Sequence, residues 1–448
     1  MAISAAGVGS GLDVGSIINQ LMAVERQPLS RLESQQKSYQ SKLSAFGQVQ
    51  SAMSKLQDAA TALSKSTTFS ATTATAGDTK AFTVGSTASA QTGSYNIEVT
   101  QLARAQRTAT SATTAPDLSG GGSLTITLGA GAPKTVNLAD GGTLQDLRDA
   151  INSADAGVSA QIINNGTVNQ LVISSKETGA ANAFKLAGSG GLSELSFDPA
   201  ATPSADMVAV QQAKDAMLSI DGLAITRGSN TVSDAIEGVT LTLSKPTDGE
   251  TTMTVARNDD IAKKAIDDFA KAYNDLNTLI RSQTSYDAAT KKAGTLNGDA
   301  SVRSIQGQLR SVLANPISGL SGATMLSDAG ITFKTDGSLS VDSAKLTAAL
   351  ADPAKKIGEL FAGNGTVDGF AKTLETRIKD MLGTEGLLTA RTDGINRTIK
   401  SFDSRIESLE ARLVKVEARY SAQFSALDVA MSSMSTTSAY LTQQLANL

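Results

Sequence analysis

The chain has 448 residues, with 39 Lys+Arg against 43 Asp+Glu for a formal charge of −4, and it contains no Cys, no His and no Trp. Those absences exclude a disulfide framework, thiolate nucleophiles, Cys/His metal centres and any proton relay built on imidazole. The slightly acidic balance argues against nucleic acid, which selects basic stripes, and no run of about 20 residues is apolar enough to span a bilayer. Only 8 prolines occur, against roughly 22 at ordinary usage, so long uninterrupted elements are expected.

In chain order, the start (Met1-Ala-Ile-Ser-Ala-Ala-Gly7) reads as lacking the cationic region and apolar core of a cleavable signal. A Gly/Ser-rich stretch, Gly7-Val-Gly9-Ser-Gly11, precedes a short apolar helix face at Ile17, Ile18 and Leu21. Pro28 is predicted to open a new helix at its first position. From there Leu32, Tyr39, Leu43, Phe46, Val49, Met53, Leu56, Ala60 and Leu63 keep a three/four spacing to about Ser64.

From about residue 70 the texture turns to alternating Thr, Ser and Gly. Strands are predicted at Ala81–Val84, Tyr95–Thr100, Leu124–Leu128, Thr135–Leu138, Val158–Ile163, Gln170–Ser174, Ala216–Ile220, Val239–Leu243 and Met253–Val255. One helix, Thr143–Asn152, interrupts them with Thr143 as its cap and Leu144, Leu147 and Ile151 on one face. Residues 124–174 therefore read strand–strand–helix–strand–strand. The glycine runs 120–122 and 188–191 read as surface loops of that unit. Helices resume after Asn258, with Phe269, Tyr273, Leu276 and Ile280 as a buried stripe, and recur near 299–313, 342–361 and 367–382.

The last segment carries the clearest pattern. Ile399, Ile406, Leu413, Tyr420, Leu427, Met434, Leu441 and Leu448 recur every seven residues, and Ile395, Phe402, Leu409 and Val416 interleave as a second column. Asp403, Glu410 and Glu417 flank one side of this coiled-coil seam, and Arg405, Arg412 and Arg419 the other. The second column then reads Gln423, Ala430, Thr437 and Gln444, so the seam is predicted to narrow beyond Tyr420. No charge follows Asp428. Two readings stand side by side: a frayed tail, or a segment that orders only when buried among neighbours, where charge would be costly to desolvate.

No constellation supports a catalytic, cofactor or metal site. The loop Gly7–Gly11 lacks nucleotide-loop spacing, Gly129 and Gly131 before Lys134 fail the phosphate-loop pattern, and Asp336-Gly337 reads as a hairpin turn. The acidic pairs Asp259/Asp260 and Asp267/Asp268 read as helix N-terminal acids and a solvated face. The fold class is thus α+β multidomain, a terminal coiled-coil or helical-bundle stalk with β-rich head domains inserted in the chain middle. The expected divisions are 1–40 with 421–448 as charge-poor terminal helices, 41–70 with 258–420 as the bundle, 71–108 with 205–257 as a β-rich head domain, and 109–204 as an inserted α+β domain.

The terminal segments resemble a known family. Gly7-Val-Gly-Ser-Gly-Leu-Asp-Val14, Ile17, Ile18, Leu21, Met22 and Glu25-Arg-Gln-Pro-Leu29 look like the start of the flagellar hook-associated protein 2 family of filament-capping proteins. Toward the other end, Ala329-Gly-Ile-Thr-Phe333, Leu360-Phe361, Gln423-Phe-Ser-Ala-Leu-Asp428, Ala430-Met431 and Tyr440-Leu-Thr-Gln-Gln-Leu445 resemble the same family. The stretch from Leu144 to Gly179 resembles an α+β module of hook and flagellin-related proteins. The resemblance implies secretion unfolded through the flagellar type III export channel, an export chaperone at the C-terminus, and a head-to-tail homo-oligomeric ring of about five or six copies at the distal filament tip. It also implies that both termini form legs contacting flagellin and other axial proteins, through Ile17, Ile18, Leu21, Leu427, Met434, Leu441, Leu445 and Leu448. No enzymatic activity, cofactor, nucleic acid or membrane span is implied. The alternative is a surface adhesin that binds host glycans or mucin through the β-rich head, although Phe184 and Phe197 are the only aromatics between 109 and 204.

Overall fold

The computed structural model describes residues 13–201 and 206–446. The chain forms two compact units, one from residues 1–66 with 262–448 and the other from 67–261, so the second is an insertion in the first. In the first unit, α1 (Val14–Glu25) and α2 (Gln27–Leu63) are separated by Arg26 alone, whose backbone is itself helical. Pro28 in the first turn of α2 brings no N–H to continue the ladder of α1, which explains the break. Asp13 caps α1 by accepting from Ser16 N at 3.0 Å.

In the inserted unit, β1 (Thr72–Ala76), β2 (Phe82–Ser86), β3 (Gly93–Gln101) and β4 (Arg107–Thr110) come first. Then follow β5 (Gly122–Leu128), β6 (Lys134–Leu138), α3 (Leu144–Ser153), β7 (Val158–Asn164), β8 (Asn169–Ser175), β9 (Phe184–Gly190) and β10 (Met207–Gln211). The unit closes with β11 (Ala216–Ile220), β12 (Leu223–Arg227), β13 (Thr231–Ile236), β14 (Val239–Leu243) and β15 (Thr251–Arg257). Two cores result. The first lies between an antiparallel five-stranded sheet, β1-β15-β3-β11-β12, and a three-stranded sheet, β13-β14-β2, around Phe82, Ile97, Val99, Leu218, Leu241 and Met253. The second lies among β10-β4-β8-β7, β6-β5-β9 and α3, around Leu124, Ile126, Leu147, Ile151, Ile173 and Phe184.

The strand–strand–helix–strand–strand reading holds as an order of elements, but β5 and β6 lie in one sheet and β7 and β8 in another. Thr143 and Asp146 form a capping box on α3, and the Thr143 hydroxyl at 2.6 Å holds the Asp146 carboxyl below its ordinary range. The glycine runs are surface loops only in part: Gly120 and Gly191 lie in turns, but Gly122, Gly188 and Gly190 lie in strands. Gly122 pairs with Gly190, and Leu124 with Gly188, inside the β5–β9 ladder. A Cβ on Gly188 would stand 1.8 Å from the Leu192 carbonyl oxygen, and one on Gly122 2.1 Å from that of Ser189. Glycine is needed there for close backbone approach, which composition alone cannot distinguish from a loop.

The first unit resumes with α4 (Asp259–Thr284), a two-residue hairpin β16 (Tyr286–Asp287) and β17 (Lys292–Ala293), and α5 (Ala300–Ala314). Next come β18 (Ile331–Phe333), β19 (Leu339–Val341), α6 (Ser343–Ala351), α7 (Ile357–Ala362), α8 (Phe370–Leu382) and α9 (Leu387–Ala446). Asn258 accepts from Asp260 N at 3.2 Å at the start of α4, as predicted. The turn at Asp336-Gly337 joins β18 to β19, with Gly337 at φ +79. That hairpin clips onto α4: Asn274 exchanges hydrogen bonds with both backbone groups of Leu339, and Phe333 meets Tyr273 edge-on at 6.1 Å. The single helix predicted at 342–361 is broken into α6 and α7. Pro353 lacks the donor to continue, and Lys356 takes a left-handed backbone at φ +45. Among the described residues no helix is long and apolar enough to cross a membrane.

Candidate assembly surface on the terminal helices

α9 has 60 residues and would extend about 90 Å at 1.5 Å per residue. Its first part is covered by the chain's own N-terminal helices. Tyr39 and Phe402 stack with ring centroids 5.5 Å apart, Gln36 donates to Asp403, and Arg26 meets Glu417 at 3.6 Å. The Tyr420 hydroxyl donates to Glu25 at 3.2 Å. Rising numbers on α2 meet falling numbers on α9, so the two run antiparallel. Met22, Leu413 and Val416 form a buried cluster, with Ile18, Leu29, Leu409 and Tyr420 packed around it.

The predicted seam residues therefore divide by burial. Ile395, Phe402, Leu413 and Val416 are buried, while Ile399, Ile406, Leu409 and Tyr420 are half-buried. The flanking charges do less than their pattern implied. Asp403 reaches α2 and Glu417 reaches Arg26 at the junction of α1 and α2, but Arg405 and Arg419 lie over rings of their own helix, 6.0 Å from Phe402 and 5.6 Å from Tyr420. On α1, Ile17 and Ile18 are half-buried and Leu21 and Val24 are exposed.

Beyond Tyr420 the same helix continues, with Phe424 half-buried and the large apolar side chains from Leu427 onward exposed among the described residues. Leu427 is 45% exposed, Met434 72%, Leu441 54% and Leu445 73%. Leu448, and the glycine stretch 7–11, lie outside the described residues. The column at spacing three turns polar or small here, as predicted, and apolar residues stand on the other flank instead. Upstream, the second column stands three residues after the first, at Phe402, Leu409 and Val416; downstream it stands four after, at Phe424, Met431 and Leu445, with Ser438 interrupting it. Three residues back-rotate a helix position by about 60° and four advance it by about 40°, so the stripe's centre swings by about 50°. Phe424 and Met431 fall outside a column of spacing three and inside one of spacing four.

Among the described residues no group of three or more acidic side chains is arranged to hold a metal ion. Asp259 is paired with Arg257 at 2.6 Å and Asp268 with Lys264 at 2.8 Å, and the latter carboxylate raises the lysine's pKa. Lys134 caps the C-terminal end of α3 by donating to the Asp155 carbonyl at 2.8 Å. Phe184 and Phe197, the aromatics a sugar platform would need, are both buried in the inserted core.

Comparison with known proteins places these elements. The family description "Flagellar hook-associated protein 2 C-terminus" matches residues 213–436, its N-terminal counterpart residues 10–106, and the "Flagellin hook IN motif" residues 123–177. A flagellar hook-associated protein 2 of Escherichia coli K12 is 39% identical over 464 residues, covering 100% of this chain and 98% of its own. The A-type flagellar hook-associated protein 2 of Pseudomonas aeruginosa is 35% identical, covering 99% and 97%. A crystal structure of the D1-D2-D3 domains of the Escherichia coli flagellar cap protein superposes with a TM-score of 0.69 at 39% identity, over 79% of this chain and 99% of that one.

Proposed function

The chain belongs to the flagellar hook-associated protein 2 family, and on that premise we propose that it caps the growing flagellar filament through the turned, uncharged stripe at the end of α9. In this reading about five or six copies assemble head-to-tail at the distal tip, and each contributes residues 1–40 and 421–448 as a leg. Residues 41–70 with 258–420 form the bundle that carries the legs, 71–108 with 205–257 the first head domain, and 109–204 the second. The legs rest on flagellin and other axial proteins. The cap promotes folding and insertion of incoming flagellin and prevents loss of monomers. Export unfolded through the type III channel, with a chaperone on the C-terminus, brings the chain to that place.

One observation carries the proposal: a continuous helix is seated on its own chain as far as Tyr420, and beyond Asp428 it carries no charge and its large apolar side chains are exposed. Folding of the unit gains nothing from those exposed side chains, whereas burial against a helical neighbour would gain about 25 cal/mol per Å² of apolar surface. The lack of charge suits contacts that release and reform, because no ion pair has to be desolvated at each step. The test is a strain whose chain ends at residue 428. The truncated chain should fold with an unchanged unfolding midpoint and the strain should make no filaments. Filaments of full length would overturn the leg role.

A further inference from the structure

The same tetrapeptide, Asn-Gly-Thr-Val, occurs twice, at residues 165–168 and 364–367, and folds the same way both times. In each copy the asparagine N–H donates to the valine carbonyl, at 3.2 and 3.1 Å. In each copy the side-chain Oδ1 accepts from the two following amides: Thr167 N and Val168 N at 2.9 and 2.9 Å, and Thr366 N and Val367 N at 3.0 and 2.8 Å. All four central residues are exposed. We propose that Asn364 is a site of self-catalysed deamidation in the folded protein, and that its twin Asn165 is held back from the same reaction.

The chemistry follows from the hydrogen bonds. Deamidation of an Asn-Gly pair begins when the glycine backbone nitrogen attacks the asparagine Cγ. The N–Cγ bond forms as the glycine N–H proton passes to solvent, and the Cγ–Nδ2 bond breaks to release ammonia. Water then opens the five-membered succinimide at either carbonyl, leaving aspartate or isoaspartate; no oxidant or reductant takes part. Negative charge develops on Oδ1 during the attack, and two backbone amides already point at that oxygen in both copies. They act there as an oxyanion hole.

What separates the twins is the nucleophile and the leaving group. Gly166 N donates to Asn164 Oδ1 at 2.8 Å, so its attack must first break a good hydrogen bond. Gly365 N donates to no acceptor among the described residues, and Gly363 stands where the other copy has Asn164. The departing nitrogen differs as well. Asn165 Nδ2 is held by Ala112 O at 2.8 Å and by Gln170 Oε1 at 3.3 Å, whereas Asn364 Nδ2 has one long bond, to Gly319 O at 3.3 Å. The third Asn-Gly pair, Asn297-Gly298, has its leaving nitrogen tied to two carbonyls, Thr284 O at 2.6 Å and Ser285 O at 3.2 Å. Conversion at Asn364 removes the donor that latches Gly319 and puts a carboxylate against that carbonyl.

The experiment is incubation of the full native chain at mildly alkaline pH, followed by peptide mass spectrometry that separates aspartate and isoaspartate products at the three pairs. Asn364 should convert several-fold faster than Asn165 or Asn297, and the difference should vanish in denaturant. Asn164→Ala frees Gly166 N and should speed conversion at Asn165 while leaving Asn364 unchanged. Equal rates at the twins in the folded chain, or an Asn165 rate indifferent to Asn164→Ala, would overturn the proposal.

Discussion

The two halves of α9 share one helix and one sevenfold column, yet they meet opposite fates. From Ile395 to Tyr420 the column is joined by Phe402, Leu409 and Val416 and is seated on α1 and α2. From Leu427 onward it is joined by residues on the other flank and faces outward. Charge divides the same way: Asp403 and Glu417 mark the seated half, and nothing after Asp428 is charged. The contrast teaches that a heptad column identifies a helix that will be buried, while the flank on which its second column stands identifies where. A stripe turned by about 50° points away from the helices that bury the first half.

Several substitutions sharpen or break that contrast. Leu413→Ala opens a cavity in the buried cluster with Met22 and Val416 and should cost about 2–5 kcal/mol in chemical denaturation, whereas Met434→Ala should stay within about 0.5 kcal/mol. If Met434→Ala destabilised the isolated chain as much, the second half would be folded against something in the same molecule. Removing Tyr39 as Leu takes the ring from Phe402 and should cost about 1 kcal/mol beyond any loss of buried area, read by the same titration. Arg26→Ala breaks an ion pair whose side chains are both more than half exposed, so its effect should be below about 1 kcal/mol and should disappear in high salt.

The pH response should divide along the same line. In the inserted unit, Asp146 has its carboxyl pKa lowered, first by the Thr143 hydroxyl and then by the Thr143 amide. In the bundle, Asp336 is lowered first by the Ser338 hydroxyl and then by its amide. A depressed folded value means stability that is present above the unfolded value of 3.8 and lost as pH falls through the folded one. Asp146→Asn should therefore flatten part of the acid limb of unfolding, measured by circular dichroism between neutral and acid pH. Residues 429–446 contain no titratable carboxylate or amine, so binding through them should not follow that limb.

Much of this was legible before any coordinates. The cap at Thr143, the cap at Asn258, the stripe of α4 and the hairpin at Asp336-Gly337 all rest on short-range chemistry, and each is present. The readings that failed needed long-range information. β4 and β10 are short and rich in Thr, Ala and Val, and their partners lie far along the chain. Glycines 188 and 190 look like a loop until β5 is laid beside them. The split of α6 from α7 was signalled by Pro353 but overridden by the apolar spacing around it. Along α9 the sevenfold column through Leu427, Met434 and Leu441 is legible in the sequence, whereas Phe424 and Met431 stand on the other flank of it.

The central claim is that the second half of α9 serves assembly and the first half serves folding. The most direct measurement places Leu427→Asp, Met434→Asp and Leu441→Asp together in the full chain, then records its thermal unfolding midpoint and the filaments made by a strain that carries only this copy. The account predicts an unchanged midpoint and no filaments. A strain with normal filaments, or a chain that no longer folds, would contradict it.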